Sequence, residues 1–331
     1  MQAMGTRADT ATEPSSAKAI FTSREDFRSF QVGEEKSFAV IAFLWGVIVI
    51  AFCIVGMATR FSWPVTAVSD IMAFCAIGWS QYSLGNGLHE AVHHNLRNKK
   101  SDFVAALLTA YPIGLTIAYR DVHLRHHRHL GTREDPELSV YTTFPRTKGD
   151  LIGRFIWNVS GIPAALQFLQ QRRDATFTGG KRGYSELLKF SLVQLVIVSA
   201  FWFAFGNFLY YVVFWVLPIM TIGKLLSTTR LLCEHGSPDR DWVVRTIVGR
   251  RWQTWLMGAF DFNYHGEHHL FPSIPYAQLQ GLHQRHRAYV AQHPEYRPFG
   301  GRFEVFDGGY VALVIHWFNI LPWKLSRNGN G

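Results

Sequence analysis

The most informative stretch of this 331-residue chain is Asn263-Tyr264-His265-Gly266-Glu267-His268-His269-Leu270-Phe271-Pro272. It contains the spacing H-x-x-H-H, which also occurs upstream at His123-x-x-His126-His127. A third box, His89-Glu90-Ala91-Val92-His93-His94, comes earlier, and the three boxes together hold most of the fifteen histidines. Histidine is the commonest metal ligand in proteins, and one ion takes about four ligands. The pattern therefore predicts a site for two metal ions.

Ligand chemistry narrows the identity of the metal. A site built from imidazole nitrogens suits iron, zinc, copper or nickel rather than magnesium or calcium. Glu90, Glu234 and Glu267 stand beside histidines, and we interpret them as partners that fix the orientation of the imidazole rings. The three cysteines lie far apart in the sequence, so neither a disulfide framework nor a cysteine-based zinc site is indicated.

Long apolar segments separate the histidine boxes. Phe38–Ala58 is uncharged and long enough to cross a bilayer. Ala67–Leu88 predicts a second span, which returns box one to the side of the N-terminus, and Phe190–Phe205 with Phe208–Gly223 predicts a second hairpin of spans. The formal net charge of +9 is compatible with nucleic-acid binding or with an anionic membrane surface. Because of the apolar segments, we expect a membrane protein that does not bind nucleic acid.

A further apolar segment, Phe103–Tyr119, is short and is interrupted by Pro112 and Gly114. If it crossed the membrane, boxes one and two would lie on opposite faces and could not share a site, so we expect a re-entrant or interfacial segment. Both termini, all three boxes and most lysines and arginines then share one face, which the positive-inside rule makes cytoplasmic. The sequence thus predicts an all-α integral membrane protein, with four transmembrane helices in two hairpins. A cytoplasmic helical cap is expected to hold the histidine-rich dinuclear metal site.

With these boxes the chain resembles the membrane fatty acid desaturase family, whose boxes have the forms H-E-x-x-H-H, H-x-x-H-H and H-x-x-H-H. The resemblance runs from about residue 40 to residue 290 and is most specific over Asn263–Pro275. Arg230–Gly236 also resembles the family's segment before box three, where an extra histidine ligand occurs. We expect a flexible N-terminal tail over residues 1–30 and a desaturase-like membrane domain over residues 31–325.

The resemblance implies a non-haem centre of two iron ions, which zinc can replace on purification, with O₂ as co-substrate. The candidate ligands that it implies are His89, His93, His94, His123, His126, His127, His235, His265, His268 and His269. The spacing of box one leaves open whether His93 or His94 binds. The implied reaction is oxidation of an unactivated C–H bond in a lipid acyl chain, with desaturation to a C=C bond as the default. Hydroxylation, ketone formation and oxidative decarboxylation to a terminal alkene start from the same hydrogen abstraction and stay open.

The implied reaction also needs electrons from elsewhere, because the sequence has neither a cysteine-rich iron–sulfur motif nor a G-x-G-x-x-G motif after a strand. A separate ferredoxin, rubredoxin or cytochrome b5 is therefore expected as the electron donor. We expect the protein to lie in the bacterial inner membrane. Two other classes compete with this interpretation. His89-Glu90-x-x-His93 matches a zinc metalloprotease motif, with Glu90 as general base. The other class is a histidine-rich metal transporter. Such a protein needs ionisable residues deep within its spans, and the predicted spans of this chain have almost none.

Overall fold

A computed structural model of the chain describes residues 18–96, 98–115, 119–173 and 180–324. Over these residues the protein is mostly helical, with short helical turns at Lys18–Ile20, Tyr111–Ile113 and Pro298–Gly301. The helices are α1 (Arg24–Ser29), α2 (Glu34–Ala58), α3 (Trp63–Val92), α4 (Lys99–Thr109), α5 (Tyr119–His129), α6 (Leu138–Thr142), α7 (Lys148–Val159), α8 (Ile162–Arg173), α9 (Gly180–Phe205), α10 (Leu209–His235), α11 (Arg251–Leu256), α12 (His265–Leu270), α13 (Tyr276–Gln292) and α14 (Gly309–Ile320). The strands are β1 (Val244–Val248) and β2 (Phe303–Asp307).

Three helices of the described residues are long and apolar enough to cross a membrane. They are Glu35–Ala58 within α2, Ser185–Phe205 within α9, and Leu209–His235, which is α10. The other helix of the expected hairpins, α3, has 30 residues, but its serine, glutamine, asparagine and aspartate side chains lower its hydropathy. Large apolar side chains on the outer faces of these helices are exposed, as at Phe203 of α9, which is 87% exposed. Apolar exposure on this scale suits a lipid environment.

The long helices approach one another closely because small residues lie at their contacts. A Cβ atom on Gly78 of α3 would lie 2.8 Å from the carbonyl oxygen of Pro218 in α10, which is closer than real Cβ contacts allow. Between residues 212 and 223, α10 is wound as two π-helical turns. The carbonyl oxygen of Trp215 in this region accepts a hydrogen bond from Gln81 Nε2 of α3 at 2.9 Å. The contact therefore joins the helix that carries box one to the helix that ends in His235.

The interruption expected in Phe103–Tyr119 is present in the structure, where residues 116–118 lie outside the described part. Helix α4 ends at Thr109, and the turn at Tyr111–Ile113 leads into Gly114, whose φ of 84° is left-handed. The carbonyl oxygens of Tyr111 and Pro112 both accept hydrogen bonds from Gln194 Nε2 of α9, at 2.6 and 3.0 Å. Buried backbone carbonyl groups outside a helix require such partners, because an unpaired one would lose its hydrogen bonds to water.

The described chain is mostly helical, as expected, but it also contains one short two-stranded sheet that the sequence analysis did not predict. Strands β1 and β2 pair in parallel with the register Val244 to Phe303 through Val248 to Asp307. The sequence of β1 is rich in β-branched residues, which favour strands, but its partner lies so far along the chain that no local pattern reveals the pairing. Helix α12, which carries box three, rests on this sheet. A Cβ atom on Gly266 would lie 2.9 Å from Thr246 Oγ1, so the glycine within the box permits that contact.

The expected N-terminal tail, residues 1–30, is described from Lys18 onward, and residues 1–17 lie outside the described part. Phe21 is buried and packs edge-on against Phe271, with ring centroids 5.3 Å apart. The Asp26 carboxylate accepts two hydrogen bonds from the Arg285 guanidinium, at 2.6 and 2.7 Å. Residues 18–30 are therefore packed against the segment after box three, and the limits of the 31–325 domain stay a prediction.

Candidate metal centre

Nine of the ten candidate histidines converge in two adjoining groups. Within each group, one ring nitrogen of every histidine lies within 4.8 Å of the others. The five-histidine group contains His89, His93, His123, His127 and His268, and the four-histidine group contains His126, His235, His265 and His269. The groups meet where the rings of His127 and His269 stack, with centroids 4.1 Å apart. The structure thus gathers all three boxes and the candidate ninth ligand into one place.

The spacing H-x-x-H-H explains why there are two groups rather than one. On a helix, residues four apart share a face, while the residue before the last projects about 100° away. In box two, on α5, His123 and His127 join the five-histidine group and His126 joins the four-histidine group. In box three, on α12, the assignment is the opposite. His265 and His269 join the four-histidine group, and His268 joins the five-histidine group. Each of these helices therefore lies between the two groups and contributes to both.

In box one, His93 faces the other histidines and His94 does not. His93 is the residue that ends α3, and its Nε2 atom lies 2.9 Å from that of His123. His94 follows with a left-handed φ of 58° and a half-exposed side chain. Its Nδ1 atom lies 2.6 Å from Asp102 Oδ2, outside both groups. Because the helix ends at this point, consecutive histidines point in different directions.

The buried nitrogens have the arrangement that a metal ion requires. In the four-histidine group, Nε2 of His265 lies 2.8 Å from that of His235 and 3.0 Å from that of His269. Both ring nitrogens of His89 are buried and lack a hydrogen-bond partner among the described residues. A neutral imidazole has one donor and one acceptor nitrogen, so inward-facing rings cannot all satisfy one another. A transition-metal cation fits this all-nitrogen donor set, and the site is that of a non-haem metal centre.

Burial also holds most of these imidazoles in the form that binds metal. Burial, reinforced by the charge of neighbouring histidines, lowers the pKa well below the ordinary value at His123, His127, His265, His268 and His269. A metal ligand must be a neutral imidazole, so a low pKa favours binding at neutral pH. His126 differs, because burial lowers its pKa but the hydrogen bond with Asp135 and the charges of Glu137 and Asp135 raise it overall.

Asp135 contacts a candidate ligand, and the sequence analysis did not assign it to the site. Nδ1 of His126 lies 3.0 Å from Asp135 Oδ1, and the carboxylate also accepts from the Tyr141 hydroxyl. In the same group, Nδ1 of His235 donates to the Val243 carbonyl oxygen at 3.0 Å. Each contact holds Nδ1 as the donor and leaves Nε2 free to bind an ion. The available signal was an acidic turn a few residues after box two.

We expected Glu90, Glu234 and Glu267 to orient ligand histidines. Of these three, Glu234 faces the ring of a histidine in one of the groups. Its Oε2 atom lies 3.5 Å from Nδ1 of His265. Glu267, although it lies within box three, accepts instead from Nδ1 of His283 and His286 on α13, at 2.7 and 3.0 Å. It therefore anchors the helix that carries the box rather than a ring in either group.

The zinc-protease alternative is not favoured by the position of Glu90. Its carboxylate accepts from the backbone N–H of Tyr276 at 3.2 Å and from Asn95 Nδ2 at 3.4 Å. A general base must instead lie within reach of the reacting water. His89 and His93 do share a group, but three further histidines complete it, which a single zinc site of this type would leave without a role.

Replacing Asp135 with Asn should weaken metal binding about 10-fold or more, because partners that orient ligand imidazoles typically contribute 10- to 100-fold. The measurement is competition of the purified protein with a chelator of known affinity. Asp102→Asn is the matched control, since Asp102 holds His94, which lies outside both groups. Equal effects of the two substitutions would contradict a specific role for Asp135.

The fold and the site define a class: a helical protein with apolar helices and a histidine-only centre for non-haem metal. Comparison with known proteins agrees with it. The family model described as "Fatty acid desaturase" matches residues 61–300, well over half of the chain. The chain therefore belongs to the fatty acid desaturase family, and it is an oxidoreductase associated with membranes.

The curated relatives are distant and chemically varied. The dihydrorhizobitoxine desaturase of Bradyrhizobium elkanii is 27% identical over 74% of this chain and 70% of its own length. A beta-carotene ketolase of Paracoccus sp. (strain N81106 / MBIC 01143) is 26% identical, covering 65% of this chain and 78% of its own length. A sphingolipid delta(4)-desaturase of Drosophila melanogaster is 26% identical, covering 66% and 64%.

Proposed function

We propose that the protein introduces a C=C bond into a lipid acyl chain, at a centre of two iron ions held by the nine histidines of the two groups. The observation that carries the proposal is the direct contact between the five-histidine and four-histidine groups at His127 and His269. Two bound iron ions supply the redox chemistry by which O₂ removes two hydrogen atoms from neighbouring carbons. In the overall balance, O₂ takes up these two hydrogen atoms together with two electrons and two protons from the donor side, and it is reduced to two water molecules.

The residues of the chain position the reactants and exclude water. Phe262 is almost fully buried, and its ring lies 4.4 Å from that of His89 between centroids, so it closes one side of the five-histidine group. Tyr119 stacks on His123 at 5.6 Å. Such aromatic walls suit an apolar chain, which enters from the bilayer between apolar helices. The imidazoles hold their Nε2 atoms toward the ions, while Asp135 accepts a hydrogen bond from the opposite nitrogen of His126 and the Glu234 carboxylate lies beside the opposite nitrogen of His265.

An external donor is part of the proposal, and α5 offers it a basic face. Arg125 and Arg128 are exposed on this helix, and His127 between them is partly exposed as well as being in the five-histidine group. Docking there would bring the donor next to a ligand. Positive side chains favour association with an acidic partner, so we expect an acidic ferredoxin, rubredoxin or cytochrome b5.

Product analysis tests the proposed reaction. Lipids from bacterial cells that express the chain would be compared by mass spectrometry with lipids from cells that express His268→Ala, under air and without O₂. Desaturation predicts lipids that have lost two hydrogens, which require both O₂ and His268. Unchanged lipids in cells that contain metal-loaded protein and a reducing donor would contradict the proposal. Because two beta-carotene ketolases are among the relatives, products that have gained oxygen would favour ketone formation or hydroxylation instead.

We also propose that α2, α3, α9 and α10 cross the bacterial inner membrane, with both termini and the metal centre in the cytoplasm. The crowding of lysines and arginines near the boxes supports this orientation. Cysteine labelling provides the test, in a background with Cys53 and Cys75 changed to alanine. One variant carries a new cysteine at Asn207, in the turn between α9 and α10. The other carries it at Arg287 on α13, whose side chain is 57% exposed. A membrane-impermeant reagent should label Asn207→Cys in intact spheroplasts and Arg287→Cys only after lysis. Labelling of both from outside would contradict the topology.

A further inference from the structure

Arg230, on α10, lies largely buried close to both histidine groups. Its side chain is 13% exposed, and its Nε atom lies 2.9 Å from Oε1 of Glu234, one turn along α10. Its Nη1 atom donates a hydrogen bond of 2.6 Å to Oδ1 of Asn86, which lies on α3 three residues before box one. Its guanidinium also lies over the ring of Phe262, 5.6 Å from the centroid. Arg230 thus joins the helix of His235 to the helix of box one.

Two contacts of Arg230, those with Glu234 and Phe262, lead on to different histidine groups. Through Glu234, whose Oε2 atom is 3.5 Å from Nδ1 of His265, it reaches the four-histidine group. The Tyr310 hydroxyl donates to Glu234 Oε1 at 3.2 Å and helps to fix the carboxylate. Through Phe262, whose ring packs against His89, it reaches the five-histidine group.

Helix packing alone does not account for this arrangement. A buried ion pair seldom stabilises a fold more than apolar residues of the same size would, because both charges lose their hydration. Glu234 is 1% exposed and touches a histidine of the centre, so its charge is placed where it acts on that ring. Arg230 in turn limits where the carboxylate can lie.

The two groups also differ in their outer contacts. In the four-histidine group, Nδ1 of His126 and Nδ1 of His235 have hydrogen-bond partners, whereas Nδ1 of His265 makes no hydrogen bond among the described residues and lies 3.5 Å from the Glu234 carboxylate. In the five-histidine group, Nδ1 of His89, His123 and His268 has no hydrogen-bond partner among the described residues. An acceptor at Nδ1 increases the basicity of the ligand nitrogen. The two ion positions are therefore not equivalent.

We propose that Arg230 and Glu234 form a positioning pair, in which the carboxylate charge beside Nδ1 of His265 favours the tautomer with its proton on Nδ1 and Nε2 toward the ion, and that the pair so makes the four-histidine position distinct from the five-histidine position. The inference rests on the two-metal centre of the proposed function. It concerns the symmetry of that centre rather than the reaction catalysed there. Neither residue needs to touch the substrate.

Cobalt substitution tests the pair without an activity assay, because Co²⁺ reports each ligand environment in its visible absorption and magnetic circular dichroism. Glu234→Gln should shift the bands of one of the two Co²⁺ ions and lower its affinity about 10- to 100-fold, leaving the other ion unchanged. Arg230→Gln should produce the same one-ion change, and Arg230→Lys should restore part of it. Glu304→Gln is the matched control, since it breaks an arginine pair with Arg245 on the sheet without touching a histidine of either group.

Unchanged spectra in folded Glu234→Gln, equal shifts of both ions, or identical behaviour of Arg230→Gln and Arg230→Lys would overturn the proposal. Far-ultraviolet circular dichroism identifies variants that fail to fold, and the isosteric Glu234→Gln and the charged Arg230→Lys are the variants on which the result depends. If the wild type binds two Co²⁺ ions but no lipid is oxidised, the proposed function fails while these spectra still decide the role of the pair.

Discussion

Alanine at His268 or at His265 is expected to reduce the bound metal from about two ions per chain toward one and to lower activity by more than about 100-fold. The first residue belongs to the five-histidine group and the second to the four-histidine group, so each change removes a ligand from a different position. The expected loss exceeds the 10- to 100-fold typical of residues that merely orient ligands. Metal analysis of the purified variants, combined with product analysis, provides the measurement.

The control for these variants is His94→Ala. His94 lies beside His93 in the sequence but is half exposed and pairs with Asp102, outside both groups. It should keep both ions and most of the activity. If His268→Ala retained wild-type turnover, or if His94→Ala lost metal as completely as His268→Ala, the assignment of the ligand groups would be wrong.

Loss of the Glu267 charge is expected to lower stability by about 3 kcal/mol at neutral pH. Burial raises the pKa of this carboxyl, but the hydrogen bonds from His283 and His286 outweigh it and hold the pKa at about 2, against an ordinary 4.5; each unit of such a difference corresponds to about 1.4 kcal/mol. Because the folded-state value is depressed, the contribution is complete above about pH 4.5 and is lost as pH falls toward 2. Glu267→Gln should remove that dependence.

Denaturant unfolding of metal-free protein in detergent, at pH values between 7 and 3, provides the test of this prediction. Wild-type stability should begin to fall below about pH 5, and its advantage over Glu267→Gln should narrow accordingly. Glu304→Gln, which alters a partly exposed carboxylate on β2, should follow the wild-type curve. A constant difference between wild type and Glu267→Gln at all these pH values would show that the effect is steric rather than electrostatic.

Most of the candidate metal centre could be predicted from sequence, because ligands spaced three and four residues apart share one turn of helix. The spacing could not show that His123 and His268 face the same position, since that depends on how α5 and α12 cross. The choice between His93 and His94 depended on the residue at which α3 ends, and periodicity places such a boundary poorly. Asp135 reaches His126 through the turn after α5, and no regular spacing marks that contact.

The fold was predictable where apolar runs are long and uniform, as in α2, α9 and α10. It was less predictable where tertiary contacts decide. Strand β1 pairs with β2 after a long intervening segment, and Phe21 is buried because Phe271 lies beside it, although the composition around it is that of a tail. In both cases the stabilising partner is remote in sequence, so local propensity alone could not indicate the structure.

The metal content per chain, determined on protein purified in mild detergent, tests the central claim most directly. Two adjoining groups of inward-facing imidazoles, most of them buried, predict close to two ions per chain, as iron or as iron partly replaced by zinc. A value close to one zinc per chain, unchanged when His265 or His269 is replaced by alanine, would contradict a two-metal centre. It would then be necessary to explain the four-histidine group without a metal ion.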